Sequence, residues 1–238
     1  MIDTHCHLLW RIDDGPHSAV EAVDLARVLV AQGVRAALCT PHYSPRFPTG
    51  LDAARERFEE LKRDLLELDI QLKVELAAEV HFRLALSVPV DELRERSVAG
   101  FTLVELDPEA TATVPARVFE HLDRAGLRPI FAHPERSRDI AADSASFDDL
   151  RADGALVQVV LSSLAGRRGP RAAAAGWALL EAGRVDLLAT DAHGAGGTAA
   201  RIRELIDVAT QRYGAGTVDQ LTARNPAKVL GAELVSLN

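Results

Sequence analysis

Short aliphatic runs recur along the chain and alternate with longer amphipathic segments, the pattern of strands separated by helices. The first run ends near His7. Ser18 then stands where a hydroxyl caps a helix, ahead of the periodic stretch SAVEAVDLARVLVAQG that Gly33 closes. VRAALCTPH has the length and composition of a buried strand, and residues 51–68 read as a charged amphipathic helix. Strands follow in QLKVELAAEV and FTLVEL. A helix over 114–125 ends at Gly126 and leads into RPIFAH; a helix near 146–153 precedes ALVQVV; a helix over 170–182 precedes VDLLAT. Two helical stretches finish the chain. About seven strands interleaved with helices predict an α/β fold, its strands parallel and its helices packed outside. An open doubly wound sheet and a closed barrel both satisfy that pattern. No repeat, low-complexity tract or linker interrupts it, so one domain over 1–238 is expected.

Composition narrows the classes. Hydrophobic residues make up 47% and aromatic ones 5%, so the core must be mostly aliphatic. No apolar run approaches the ~20 residues of a membrane span, and no basic-then-apolar leader is visible. No membrane insertion is expected. Cys6 and Cys39 build no disulfide framework and fit a reducing compartment, so a cytoplasmic location is expected. A net charge of −8 opposes general nucleic-acid binding, which draws on a basic surface.

The ionisable residues separate barrel from sheet better than the strands do. His5 and His7 end the first strand, His42 follows the second, Glu79 ends the third and Glu105 the fourth. His133 follows the fifth strand, and Asp191 and His193 follow the seventh. In a closed barrel those strand ends share one rim, where such folds hold their catalytic groups. The even distribution favours the barrel. Side chains two apart on a strand point the same way, so His5 and His7 converge while Cys6 faces the helices. Histidines from separate strands, mixed with carboxylates, imply more than one ion. Two or three ions could clamp a phosphoryl group and activate water.

Other candidates read as structural. His17 sits at a loop-to-helix junction, His121 lies mid-helix, and His81 is assigned to the face away from Glu79. Cys6 and Cys39 read as packed small residues. CTPHYSPR brings Cys39 near Arg46 as cysteine-based tyrosine phosphatases do, but with one residue too many, two prolines and no glycine for a phosphate cradle. A Cys39 nucleophile is not expected.

DTHCH, DDG, TPHY, AAEVHF, LVEL, AHPERSRD and TDAHG stand in the order seen in the PHP superfamily, named for polymerase and histidinol phosphatase. Together they most resemble its bacterial tyrosine-protein phosphatases of capsule and exopolysaccharide gene clusters. The likeness runs from Ile2 to about Leu230 and includes the closing NPAKVL. It implies a distorted seven-stranded (β/α) barrel with a three-ion, usually manganese (Mn2+) centre, iron, zinc, cobalt or magnesium being alternatives. By position, the resemblance gives one ion to His5, His7, Glu79 and Asp191. Glu79 would bridge to a second ion held by Glu105 and His133, and Asp14, His42 and His193 would hold the third. Asp13 stands as an alternative to Asp14. Two departures bear on substrate choice. Gly194, followed by AGGT, stands where the family often has asparagine, and Tyr43 and Ser44 lead to Arg46 where it often has histidine or further basic residues.

The implied reaction is hydrolysis of phosphotyrosine by a hydroxide generated on the ions, in line with the departing tyrosine oxygen. A phenol, with a pKa near ~10, leaves more readily than an alkoxide, and no general acid is assigned. Arg136 of HPER is expected to grip the phosphate through its planar fork, an ion pair with Glu135 being the alternative. Arg46 would assist. In AGRRGPR, Arg167, Arg168 and Arg171 either guide a phosphorylated peptide or form a solvated loop. The family implies a phosphotyrosine protein as partner, such as the tail of a bacterial tyrosine kinase. The rival readings are a phosphoesterase for a small monoester such as histidinol phosphate, and a non-catalytic metal-binding regulatory module.

Overall fold

The computed structural model describes residues 1–230; positions 231–238 of the expected domain lie outside the described residues. Strands β1 (Ile2–Cys6), β2 (Ala36–Cys39) and β4 (Lys73–Leu76) form one parallel sheet in the order β1-β2-β4. A second parallel sheet runs β3 (His42–Tyr43), β5 (Glu79–His81), β6 (Phe101–Glu105), β7 (Arg128–Ala132), β8 (Leu156–Val160) and β9 (Leu187–Ala189). The α/β class and the parallel pairing are as expected.

The strand count is not, because two of the apolar runs bend. VRAALCTPH divides into β2 and β3 at Thr40–Pro41, where proline has no N–H to offer a ladder. QLKVELAAEV divides into β4 and β5 at Ala77–Ala78. Each bent run therefore lends its first half to one sheet and its second half to the other. The Ala77 N–H still donates to Cys39 O at 2.9 Å, and Glu79 N–H to Pro41 O at 3.1 Å. Across the molecule, Asp191 N–H donates to His5 O and His7 N–H to Ala192 O, both at 2.9 Å. Among the described residues, one isolated bridge, Cys6 to Ala192, pairs β1 with the chain beyond β9. Among the described residues the strands pair as two sheets, joined through the bent runs and the Cys6–Ala192 bridge, and the closed pairing of the expected distorted seven-stranded barrel is not found.

Helices cover the outer faces. Ser18 caps the helix Ala19–Ala31, its Oγ accepting the Glu21 N–H at 3.3 Å. Longer helices span Leu51–Glu67, Val114–Asp123, Pro170–Glu181 and Ile202–Tyr213. Short helices at Phe82–Ala85 and Val90–Glu95 were not predicted, being too brief for a helical period to register.

Two apolar clusters lie between strands and helices: one includes Leu25, Leu29, Cys39, Leu61 and Leu188, the other Val104, Leu122, Phe131 and Phe147. A smaller cluster, with Ile2, Ala36, Leu103, Ile130, Leu187 and Val229, packs separately from both. Thr4, His5, Glu79 and Gln158 are also fully buried, so part of the interior is polar.

At Gly176 the helix Pro170–Glu181 packs against Leu164 and against Val159 of β8. A Cβ there would sit 3.0 Å from Leu164 Cδ2 and 3.4 Å from Val159 Cγ1. Gly176→Val overpacks this contact and is expected to cost about 1–3 kcal/mol. In urea or thermal unfolding the midpoint should fall clearly below that of the parent; an unchanged midpoint would contradict the close approach.

Candidate metal centre

All nine side chains expected to ligate come together, His42 and Glu79 from the first residues of β3 and β5 and the others from β1, the end of β6 and the segments that follow β1, β7 and β9. They form four groups, the donor atoms of each lying within 4.8 Å of one another: His7, Asp14, His42 and His193; His5, Glu79 and His133; His5, His7 and Asp191; His42, Glu79 and Glu105. The partition differs from the one the resemblance implied. Glu105 groups with His42 and Glu79 instead of His133, and His7 also joins the group of Asp14.

The rings are held so that lone pairs point inward. His5 Nδ1 lies 2.8 Å from Gln158 Oε1, and the Gln158 amide donates to Thr4 Oγ1 at 2.8 Å, which sets its orientation. His7 Nδ1 lies 2.7 Å from Asp13 Oδ2, and His193 Nδ1 lies 3.0 Å from the Asp191 carbonyl. In each ring Nδ1–H donates outward, leaving Nε2 free to ligate, the usual arrangement behind a metal-bound imidazole. His5 Nε2 and His7 Nε2 then face each other at 3.2 Å.

Glu79 is the hub. Its Oε2 lies 3.0 Å from His42 Nδ1, 3.1 Å from His5 Nε2 and 3.4 Å from His7 Nε2, and is buried without a hydrogen bond. His42 Nδ1 is likewise buried and unbonded. Such orphaned polar atoms are costly in an interior and fit a set of donors built around cations. His42 offers Nδ1 toward Glu79 and Nε2 toward Asp14 Oδ1, 3.5 Å away. A neutral ring has one lone pair, so it ligates in only one of those groups.

Asp13 and Asp14 separate cleanly. Asp13 Oδ2 accepts from His7 Nδ1 and from the His42 N–H at 2.9 Å, while its Oδ1 accepts the Gly15 N–H at 2.9 Å. Asp14 instead turns into the cluster, its Oδ1 3.3 Å from His193 Nε2.

The electrostatics follow from burial and crowding. Burial opposes charging of His5, but Glu79 and Asp191 beside it more than offset that and raise its pKa. Burial likewise opposes charging of His7, yet its hydrogen bond to Asp13 and the nearby Glu79 carboxylate lift it well above the ordinary value. Burial, then the Glu79 charge, push Glu105 up to about 7. Burial, then Arg136, bring His133 down to about 4. The His193 hydrogen bond lowers Asp14 to about 2.

The backbone is strained at two of these positions. His133 has φ 36° and Asp191 φ 51°, left-handed values that cost a non-glycine residue roughly 1–2 kcal/mol. His133 directly follows β7 and Asp191 lies two residues past the end of β9, where the chain turns into the cluster.

A cleft of about 860 Å³ opens above the cluster. Arg46, Arg83, Arg136, Arg168 and Arg171 line it together with Phe47. Arg136 does not pair with Glu135, whose Oε1 accepts the Val160 N–H at 3.3 Å. It bonds instead to Asp191 Oδ2 and, at 3.2 Å, to Ser162 Oγ, which ties the guanidinium to the cluster. Arg46 lies over the Phe47 ring, 4.9 Å from its centroid. Arg167 stands outside this cleft, in an adjoining one.

His81 corrects the expectation. Two residues past Glu79 on β5, it shares Glu79's face and lines the cleft, with Nε2 3.0 Å from Asp107 Oδ2. The i, i+2 rule applied to Glu79 and His81 would have found it. His17 and His121 stay away from the cleft lining, as expected. Cys6 and Cys39 are fully buried, and burial raises both thiol pKa values. Neither is poised as a nucleophile.

Comparison with known proteins bears on this arrangement. Tyrosine-protein phosphatase YwqE of Bacillus subtilis is 31% identical over 196 residues, 81% of this chain and 77% of its own length. Tyrosine-protein phosphatase CpsB of Streptococcus pneumoniae is 23% identical over 246 residues, 99% of this chain and 100% of its own. Among solved structures, the metal-dependent tyrosine phosphatases YwqE of Bacillus subtilis and CpsB of Streptococcus pneumoniae match with a TM-score of 0.84 at 28% identity, covering 97% of this chain and 94% of that one. A histidinol phosphate phosphatase of Lactococcus lactis shares the fold at 12% identity, with a TM-score of 0.55 over 87% of this chain and 93% of that one. The family model for capsular polysaccharide synthesis proteins, CpsB/CapC, matches residues 1–231, and the chain belongs to that family.

Proposed function

We propose that this chain is a metal-dependent phosphotyrosine-protein phosphatase, acting on a protein of the capsule or exopolysaccharide machinery such as a tyrosine kinase tail. The observation that carries this reading is the unbonded Glu79 Oε2 facing three imidazole nitrogens at the floor of an arginine-lined cleft. His5, His7, Asp14, His42, Glu79, Glu105, His133, Asp191 and His193 would hold the ions, three of them and manganese by family likeness. Bound there, divalent cations lower the pKa of a water and neutralise phosphoryl oxygens.

The chain's own residues orient the substrate. Arg136, anchored by Asp191 and Ser162, directs its remaining N–H groups at a phosphate above the cluster. Arg46 closes over the phosphate from the loop after β3. Phe47, stacked on His42 with ring centroids 5.5 Å apart, offers an apolar wall to the substrate phenyl ring. Arg167 and Arg168 receive the peptide beside the site. Counting each bent strand once gives seven rungs, so we further infer a distorted barrel, housed in one domain over 1–238. The two reduced, buried cysteines support a cytoplasmic setting. No helix of the described residues is long and apolar enough to cross a membrane.

Metal analysis separates the two aspartates. Asp14→Ala is expected to bind fewer manganese ions per chain, whereas Asp13→Ala keeps the number and loses about 10–100-fold in affinity, the usual cost of removing a partner behind a ligand. Equal behaviour of the two variants would contradict their assignment.

Substrate class is tested in a manganese-supplemented assay of a phosphotyrosine peptide, histidinol phosphate and a nucleotide monoester. The phosphotyrosine peptide should be turned over with the highest kcat/KM, and Arg136→Ala should lower that value at least tenfold, as loss of a charge-assisted phosphate contact does. Activity confined to histidinol phosphate would reject the reading.

A further inference from the structure

Beside the main cleft lies a second of about 450 Å³, which shares Arg168, Asp191 and His193 with it. One wall is the turn carrying Arg167 and Arg168, which follows the short helix Leu161–Leu164. Ser162 completes that wall, and the loop after β9 supplies Gly194, Gly196 and Thr198 opposite.

The turn is built to hold its arginines. Its backbone is pinned by Arg167 N–H to Ser162 O at 3.1 Å and Gly169 N–H to Gly166 O at 3.0 Å. Gly166 and Gly169 both adopt positive φ, 75° and 89°. Arg167 lies flat against Gly197: a Cβ on that glycine would fall 3.2 Å from Nη1, and its φ of 63° disfavours any other residue. The opposing loop has therefore given up a side chain where the guanidinium rests.

Neither cation has the close two-donor carboxylate partner that Arg151 and Arg184 have. Arg151 and Arg184 each grip a carboxylate with two N–H donors, on Asp186 and Asp148. Among the described residues no carboxylate lies within ion-pair distance of Arg167, and Arg168 has only Asp191, at 3.9 Å. Asp191 is already bonded to Arg136. Two guanidinium groups held side by side on a pinned turn, with so little carboxylate to neutralise them, favour an anion between that turn and the opposing loop.

Resting on the phosphatase reading, we propose that this side cleft is a second anion subsite. It takes the carboxylate or phosphate of a residue two positions from the phosphotyrosine, so the preferred substrate carries an acidic or phosphorylated residue there. The shared wall sets the spacing. Side chains two apart in an extended peptide point the same way and lie ~7 Å apart, which suits a cleft that adjoins the first through Arg168, Asp191 and His193.

The test is binding of non-hydrolysable phosphonate peptides to the manganese-loaded full chain, measured by calorimetry. Three peptides carry a neutral residue, a glutamate or a phosphoserine two positions from the phosphonate. The wild-type protein should bind at least one anionic peptide about five- to tenfold tighter than the neutral one, a preference that shrinks as salt rises. Glutamate and phosphoserine arms identify which anion the subsite favours. In Arg167→Gln/Arg168→Gln the ratio should fall to about one. Gly196→Asp, where an added Cβ meets nothing within 4 Å, should erase the ratio by placing a carboxylate in the cleft. Equal binding of all three peptides by the wild-type protein, or a ratio that survives in both variants, would overturn the subsite. Absence of turnover on every hydrolysable phosphotyrosine peptide would instead sink the phosphatase reading, and the binding ratio would still decide the subsite.

Discussion

A carboxylate with no access to water is the constraint around which this molecule is arranged. Glu79 is fully buried, and an isolated charge so placed would cost many kcal/mol. Its Oε1 meets His133 at 2.7 Å, which accounts for one oxygen. Its Oε2 sees three ring nitrogens at distances suited to attraction but not aligned for hydrogen bonding. Protons could neutralise such a nest only one pair at a time. A cation satisfies several lone pairs at once, and the outward Nδ1–H bonds of His5 and His7 already leave their Nε2 atoms open for it. Asp13 and Gln158 thus matter to the centre without entering it.

The architecture delivers these groups at a cost in regularity. Glu79 opens β5 immediately after the Ala77–Ala78 break, and His42 opens β3 immediately after Thr40–Pro41. Both bends occur where a strand must leave one sheet and turn its next residue into the site. His133 and Asp191 reach the same centre through left-handed backbone. Stability has to come from elsewhere. Full burial of a large apolar side chain contributes ~1.5–3 kcal/mol. The aliphatic clusters beneath the helices hold many such side chains, while His5, Glu79 and Gln158 occupy interior positions that apolar residues would otherwise fill. The centre is strained and polar because the surrounding layers are regular and dry.

Much of this was legible in the chain. Periodicity placed the long helices and the apolar runs, residue type at the strand ends picked out eight members of the cluster, and the family resemblance added Asp14 with Asp13 as its alternative. What escaped was of two physical kinds. Bends within β2–β3 and β4–β5 leave no mark in hydropathy, since both halves stay apolar, and only Pro41 hinted at one. Pairing across the cluster also escaped. Which carboxylate Arg136 would meet depends on how the 134–136 turn faces β9, and sequence proximity suggested Glu135 where the fold supplies Asp191. His81 is different, because its side was readable from its distance to Glu79 along one strand.

The same geometry explains why the two cysteines do no chemistry here. A thiolate needs exposure or a cationic setting. Cys39 has neither, being sealed among Leu25, Leu29 and Leu61 on the helical side of its strand, while the next strand segment turns His42 toward the opposite, polar side. The chain has therefore divided its labour by face. Groups that would ligate or bind anions occupy the rim and its clefts, where arginines from separate loops raise the local potential of an otherwise acidic protein. Groups whose reactivity would compete with them are buried on the other face, where desolvation keeps them protonated and inert.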